Sequence, residues 1–225
     1  MTQKERQERS REEIYRAARE EFGAHGYDQV NMERICGNHG ISKGMMYHYY
    51  SNKDELFLLC VERTLEELRG YIEEHMVQLP QEDVLTAIKD YFLIREQFFQ
   101  LRPEQKLIFE DAVLHPPKHL ADQIHRLRAP MRELNWRFIA DQVARMPLRP
   151  GLDQEKVARY LESMEFVFQS AMVSYHGREE DWDLHGMLEA AEELIDMVLF
   201  GVLQRAALPA AFPEKDGTKS RGTSL

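Results

Sequence analysis

The chain has 225 residues, of which 43% are hydrophobic and 30% charged, with a formal net charge of −10. That length supports one large or two modest cores, and the mixture predicts a globular, soluble protein. The longest apolar run, Met197 to Leu203 interrupted by Gly201, is far below the roughly 20 residues of a membrane span, so no membrane partner is expected.

The N-terminal residues Met-Thr-Gln-Lys-Glu-Arg form no apolar segment of the secretory kind. The two cysteines, Cys36 and Cys60, fall inside helical patterns and suggest no disulfide framework, which favours a reducing, cytoplasmic setting. The acidic total argues at first against nucleic acid as a partner. Residues 1–60, however, hold nine Lys or Arg against ten Asp or Glu, so this part is close to neutral and the acidity lies downstream. A near-neutral domain can still bind DNA if its cations share a face, although the usual basic excess is missing.

Residues 1–9 are polar and expected to fray. Ser10 is expected to cap a first helix with Ile14, Ala17, Ala18 and Phe22 at helical spacing, stopped by Gly26. Lys4, Arg6, Arg9 and Arg11 cluster at its start. They fit an arm reaching phosphates, and equally a solvated charged end, because Glu5, Glu8, Glu12 and Glu13 alternate with them. Asn31 then caps a short helix whose inner positions are Met32, Ile35 and Cys36. Gly40 suits a left-handed turn, Ile41 plugs the angle, and Ser42 caps a second short helix. This is the pattern of a helix-turn-helix, whose second helix enters the DNA major groove.

Ser51-Asn52 caps a long helix from Lys53 to about His75, with Leu56, Cys60, Leu65, Leu68 and Ile72 along one side. Pro80 ends that pattern. The next helix starts near Gln81-Glu82-Asp83, carries Leu85, Ile88, Tyr91, Phe92, Phe98 and Phe99, and stops before Pro103. A short helix is predicted over Pro103 to Val113, followed by an extended break at His115-Pro-Pro117. Lys118 to Met146 reads as helix that Pro130 must kink or divide. Asp153 opens a helix to about Tyr175, and the last helix spans about Trp182 to Ala207. Residues 208–225 read as a disordered tail. No stretch alternates at the period of a strand, so the fold class is all-α.

The first 60 residues resemble the DNA-binding domain of tetracycline-repressor-type (TetR family) transcriptional regulators. The resemblance rests on Ala17, Phe22, Gly26-Tyr27, Asn31-Met32, Ile35, Gly40-Ile41-Ser42, Gly44, Met46-Tyr47, Tyr49-Tyr50, Lys53 and Leu56. Cys36 stands where the family usually has alanine, and Asn31 where Thr or Ser is commoner. The resemblance implies a three-helix DNA-binding domain over 1–52 and a helical ligand-binding and dimerisation domain over 53–207, with the helix from 53 shared. It also implies a homodimer on a palindromic operator, paired through helices at about 153–175 and 182–207. The wide apolar faces of those two helices independently ask for a partner.

The residues expected at the DNA are Asn31, Ser42, Lys43, Gly44, Met45, Tyr47, His48, Tyr49 and Lys53. Tyr47, Tyr49 and Lys53 match family positions that contact phosphates, and His48 matches one at the groove edge. Gly44 allows close approach, and Lys43 suits a guanine edge or a phosphate. Met46 and Tyr50 read as core. For the effector, the candidates are Tyr91, Phe92, Arg95, Phe99, Asn135, Trp136, Glu165, Phe168, Gln169 and Met172. A buried Glu165 in an acidic domain would favour a cationic amphipathic compound. No Gly-x-Ser-x-Gly, phosphate-cradling Gly-rich loop or His-Glu-x-x-His is present, so neither an enzyme nor a cofactor is expected. The function read from this is a ligand-responsive DNA-binding regulator, by family default a repressor released by a small molecule. The alternatives are a helical interaction protein with weak or lost DNA binding, and a metal-responsive regulator using His115, His119 and His125.

Overall fold

The computed structural model describes residues 2–157 apart from Glu82 and Arg149, together with Glu193 and Met197; the side chains of Leu85, Lys89 and Phe92 are not described. Among the described residues the fold is helical, with no β-strand. The elements are α1 (Gln3–Gln29), α2 (Met32–His39), α3 (Lys43–Tyr49), α4 (Lys53–His75), a 3-10 turn (Met76–Gln78), α5 (Val84–Leu101), α6 (Pro103–Val113), α7 (Ala121–Leu127) and α8 (Ala129–Val143).

Local chemistry explains most of the boundaries. Asn31, Ser42, Asn52 and Asp83 each accept, through a side-chain oxygen, a backbone N–H of the helix they precede. Pro103 and Pro130 sit in the first turns of α6 and α8, where the missing N–H costs no helical bond. Pro130 therefore divides the stretch from Lys118 to Met146, as expected. Asp153 caps a helix that is described as far as Val157, through the Lys156 N–H at 2.8 Å. Most of the helices expected at 153–175 and 182–207, and the tail, lie outside the described residues.

The start of α1 corrects the sequence reading. Ser10 lies inside the helix, and the cap is Thr2. The Glu5 N–H donates to the Thr2 hydroxyl at 3.2 Å, and the Thr2 N–H donates to the Glu5 carboxylate at 2.8 Å. This reciprocal pair satisfies two orphan donors upstream, and nothing between Thr2 and Ser10 breaks a helix. The helix geometry fails at Gly26, with φ 71°, and the chain turns through Gln29 into α2.

One continuous core runs through the described helices. Phe22 packs edge-on to Phe57, and Tyr27 lies against the same ring at 4.8 Å between centroids. Further along, Tyr91 stacks on Phe138, and Phe99 bridges Phe98 and Phe109. α4 joins the two regions, burying Leu56, Phe57 and Cys60 near α1–α3 and Leu65, Leu68 and Ile72 beyond. Its 23 residues span about 35 Å at 1.5 Å per residue.

The tightest approach is between α1 and α6. A Cβ placed on Gly23 would stand 2.1 Å from the main-chain oxygen of Glu104. Main chain cannot swing aside as a flexible side chain can, so any larger residue must push the two helices apart. Gly23→Ala should therefore lower stability by about 1–3 kcal/mol, the usual cost of overpacking. Gly70→Ala, in α4 with nothing near its Cβ, should instead stabilise by about 0.5–1 kcal/mol through helix propensity. Thermal or urea melts of both variants check the contrast, and equal shifts would contradict it.

Candidate nucleic-acid interface

α2 and α3 meet through a turn built as the residue types require. Gly40 adopts the left-handed conformation at φ 67°, and the Ile41 N–H reaches the Cys36 carbonyl at 3.1 Å. Ile41 is buried in the angle and Met46 faces the core with no exposed surface. Inward Met46 turns Lys43, Gly44, Tyr47 and His48 outward, at spacings that place them on one face. Tyr47 is 49% exposed, an unusual position for so large a ring. Apart from its chain neighbours and the backbone of its own helix, no atom lies within 4 Å of where a Gly44 Cβ would be, so the backbone there is open to close approach. Lys43 makes a 3.6 Å pair with Glu33, both well exposed; such a pair is worth about 0–1 kcal/mol and yields readily to a phosphate.

The other expected residues have local tasks as well. Asn31 and Ser42 point their oxygens at the N–H groups of Arg34 and Met45 as caps, while staying exposed. Met45 and Tyr49 are half-buried against the core, and the Tyr49 ring lies beside His48 and under Arg11. Lys53 is drawn inward: its ammonium donates to the Tyr27 carbonyl at 3.0 Å and stands 4.0 Å from the centre of the Tyr27 ring.

Two clusters that the sequence did not reveal fix this motif in place. Glu21 on α1 is 6% exposed. Its carboxylate accepts from Arg34 at 2.6 Å and Asn38 at 2.7 Å, with His39 at 3.2 Å, so it holds most of α2 against α1. Burial pushes its pKa up, but the bonds from Asn38, Arg34 and His39 outweigh that and hold the carboxyl below the usual range. The only sequence signal was a Glu on the buried side of α1, seven residues after Ile14.

The second cluster centres on Tyr27. Its N–H donates to Asp111 of α6 at 2.6 Å. Its hydroxyl donates to Asp54 of α4, and His119 lies 3.2 Å from that hydroxyl and 3.0 Å from the Asp54 carboxylate. Burial, then the bond to Asp54, push the Tyr27 hydroxyl well above its ordinary value, so it stays protonated and remains a donor. Burial likewise raises Asp111. His119 is thereby taken up at this junction, and among the described residues no group of three or more His, Cys, Asp or Glu is placed to hold a metal. The grouping of His115, His119 and His125 as a metal set is corrected accordingly: His119 is committed to Asp54 and Tyr27 instead.

Of the effector candidates, Tyr91, Arg95 and Asn135 come together. Arg95 is 5% exposed. It donates to the Tyr91 carbonyl at 2.8 Å and to the Asn135 side-chain oxygen, which also accepts from the Tyr91 hydroxyl at 2.9 Å. Phe99 belongs to the Phe98–Phe109 cluster and Trp136 is half-buried. Glu165, Phe168, Gln169 and Met172 lie outside the described residues, as does the side chain of Phe92. The basis for a cationic effector, Glu165, is among them; the described polar cluster contains a cation, Arg95.

Residues 14–60 match the family described as bacterial regulatory proteins, tetR family. That segment runs from α1 through α2 and α3 into α4. It is 28% identical over 116 residues to the HTH-type transcriptional regulator UidR of Escherichia coli, covering 49% of this chain and 59% of that one. To the HTH-type transcriptional repressor AcnR of Corynebacterium jeikeium it is 44% identical over 56 residues, covering 25% and 30%. The chain thus spans less than two thirds of the length of the curated relatives it matches. Its fold is similar to that of a transcriptional regulator from Cytophaga hutchinsonii, with a TM-score of 0.59, 17% identity, and coverage of 85% of this chain and 97% of that one. The segment similar to the tetR family contains α2, α3 and the outward face of Lys43, Gly44, Tyr47 and His48.

Glu21→Gln should destabilise by about 1–3 kcal/mol at neutral pH, since it replaces a charge-assisted anchor with a neutral one. A carboxyl held below its unfolded value adds stability above that value and loses it as pH falls through the folded value. The gap between the variant and the wild-type chain should therefore close as pH drops below about 4, the ordinary carboxylate range. Urea melts across pH test this, and a gap that persists into acid would contradict it.

Proposed function

We propose that the chain is a non-enzymatic, ligand-responsive DNA-binding regulator, a repressor that leaves a palindromic operator when a small molecule binds. The observation that carries the reading is the outward face of α3 set on an inward Met46. A helix held from behind, with a lysine, a glycine without neighbours and an exposed tyrosine in front, suits entry into a major groove. Lys43, Met45 and His48 would meet base edges, while Asn31, Ser42, Gly44, Tyr47, Tyr49 and Lys53 would line the backbone path.

The division at 53 into a DNA-binding unit and a ligand-binding and dimerisation unit belongs to this proposal, with helices at 153–175 and 182–207 pairing two copies. So does a cytoplasmic site of action, consistent with the absence, among the described residues, of a helix long and apolar enough to cross a membrane. The effector would sit in the second unit near Tyr91, Arg95 and Asn135. Its effect would travel through α6 and α4, because both grip Tyr27 at the end of α1. A tilt of either helix alters the spacing of the two recognition helices and so the fit to two half-sites.

The test uses a duplex that the full-length chain enriches from a random-sequence library. Tyr47→Phe should weaken binding by about tenfold, the loss of one good hydrogen bond, while leaving the melting temperature unchanged. Lys53→Ala should lower both affinity and melting temperature, because its ammonium also ties α4 to the Tyr27 carbonyl. Wild-type affinity in both variants, measured by fluorescence anisotropy, would contradict the groove assignment.

A further inference from the structure

α1 begins well before the core needs it. Its first buried residues are Ile14 and Tyr15, yet the helix is capped at Thr2 and regular from Gln3. Almost three turns therefore stand free. The extension is anchored at its base on the side of α3 and α4: Glu12 pairs with Arg63 of α4 at 2.7 Å, and the Arg11 guanidinium lies 5.5 Å from the Tyr49 ring at the end of α3.

The charges on this extension are not equivalent. Glu5 is used in the cap and Glu12 in the pair with Arg63. Among the described residues no carboxylate pairs with Lys4, Arg6, Arg9 or Arg11. Lys4, Gln7 and Arg11 fall at i, i+3 and i+7, and so share one side of the helix. Arg11 shows which side it is, the one next to Tyr49. Lys4 stands two turns, about 10 Å, further out along that side. Arg9 and Arg16 share a different side, turned more than a right angle away. Glu8, four residues after Lys4 and three before Arg11, borders the first side, and Glu13 borders the second, which Arg6 also joins; among the described residues neither carboxylate pairs with these cations.

We propose that the free start of α1 is a helical phosphate clamp, in which Lys4 and Arg11, with Gln7 between them, grip the DNA backbone flanking the groove entered by α3. This rests on the DNA-binding reading above and adds to it a surface outside the helix-turn-helix. The occupant is a nucleic-acid backbone because Lys4 and Arg11 present unpaired cations on one narrow side, continuous with the Tyr49 end of α3. Cations on a pre-formed helix lose little freedom on binding, so each contact is well used. The clamp also answers the neutral balance of residues 1–60: the domain needs no general basic excess if its free cations lie in line with the groove.

Phosphate contacts are counted by salt dependence, at close to one unit of slope in log affinity against log salt for each. On the library-selected duplex, the full-length Lys4→Ala/Arg11→Ala variant should lose about two units of slope, and it should weaken on selected and scrambled duplexes alike. Arg9→Ala/Arg16→Ala removes the same charge from the other side and should leave most of the slope in place. Circular dichroism and melting curves confirm that both variants stay folded. An unchanged slope for Lys4→Ala/Arg11→Ala overturns the clamp, as does an equal loss for both pairs, which would mark a diffuse field and not a contact. If the wild-type chain enriches no duplex, the DNA-binding reading fails and the clamp with it. Enrichment with an unchanged slope in the variant removes the clamp alone.

Discussion

The Glu104 carbonyl closes a notch on α1 that only glycine leaves open. α6, which starts one residue earlier, lies backbone to backbone against the helix that carries the DNA-binding motif. No flexible side chain cushions that contact, so α6 cannot advance without moving α1. Tyr27 fastens the same seam a turn later, through its N–H to Asp111, its hydroxyl to Asp54 beside His119, and its carbonyl to Lys53. Each such bond is worth about 1 kcal/mol net, a scale at which a ligand can rearrange them. The steric stop at Gly23 is stiffer, since close-packed main chain transmits displacement.

α1 is also the frame on which the reading head is mounted. Glu21 clasps Arg34, Asn38 and His39 and so sets α2. The core around Phe22, Ile35 and Met46 sets α3. A displacement of α1 therefore carries α2 and α3 with it; under the proposed function, it would change the distance between the α3 helices of two copies. Free cations ahead of the core would travel on the same body.

Local chemistry was legible from the residues, and contacts made over long sequence distances were not. Asn31, Ser42, Asn52 and Asp83 act within three residues of themselves, so their caps followed from composition. Pro103 and Pro130 marked helix starts because proline removes a donor wherever it stands. Ser10 was misplaced because a serine in a polar run looks like a cap, whereas the Thr2–Glu5 pair upstream satisfies two donors at once. Lys53 reads as a phosphate contact, and no local pattern could reveal its bond to a carbonyl 26 residues away. His119 looked like part of a histidine cluster until the fold set it beside Asp54, 65 residues upstream. The outward set Lys43, Gly44, Tyr47 and His48 was legible because one inward residue, Met46, fixes the phase of a short helix.

If α1 is the rigid frame of α2 and α3, the α1–α6 seam feels what happens at α3. Amide hydrogen exchange of the full-length chain, with and without its selected duplex, tests this most directly. Residues of α6 and the Tyr27 N–H, which Asp111 holds, lie away from the outward face of α3. Altered protection is expected there on DNA binding, together with altered protection in α2 and α3. Changes confined to α2, α3 and the start of α1, with Tyr27 and α6 exchanging as in the free chain, would contradict it.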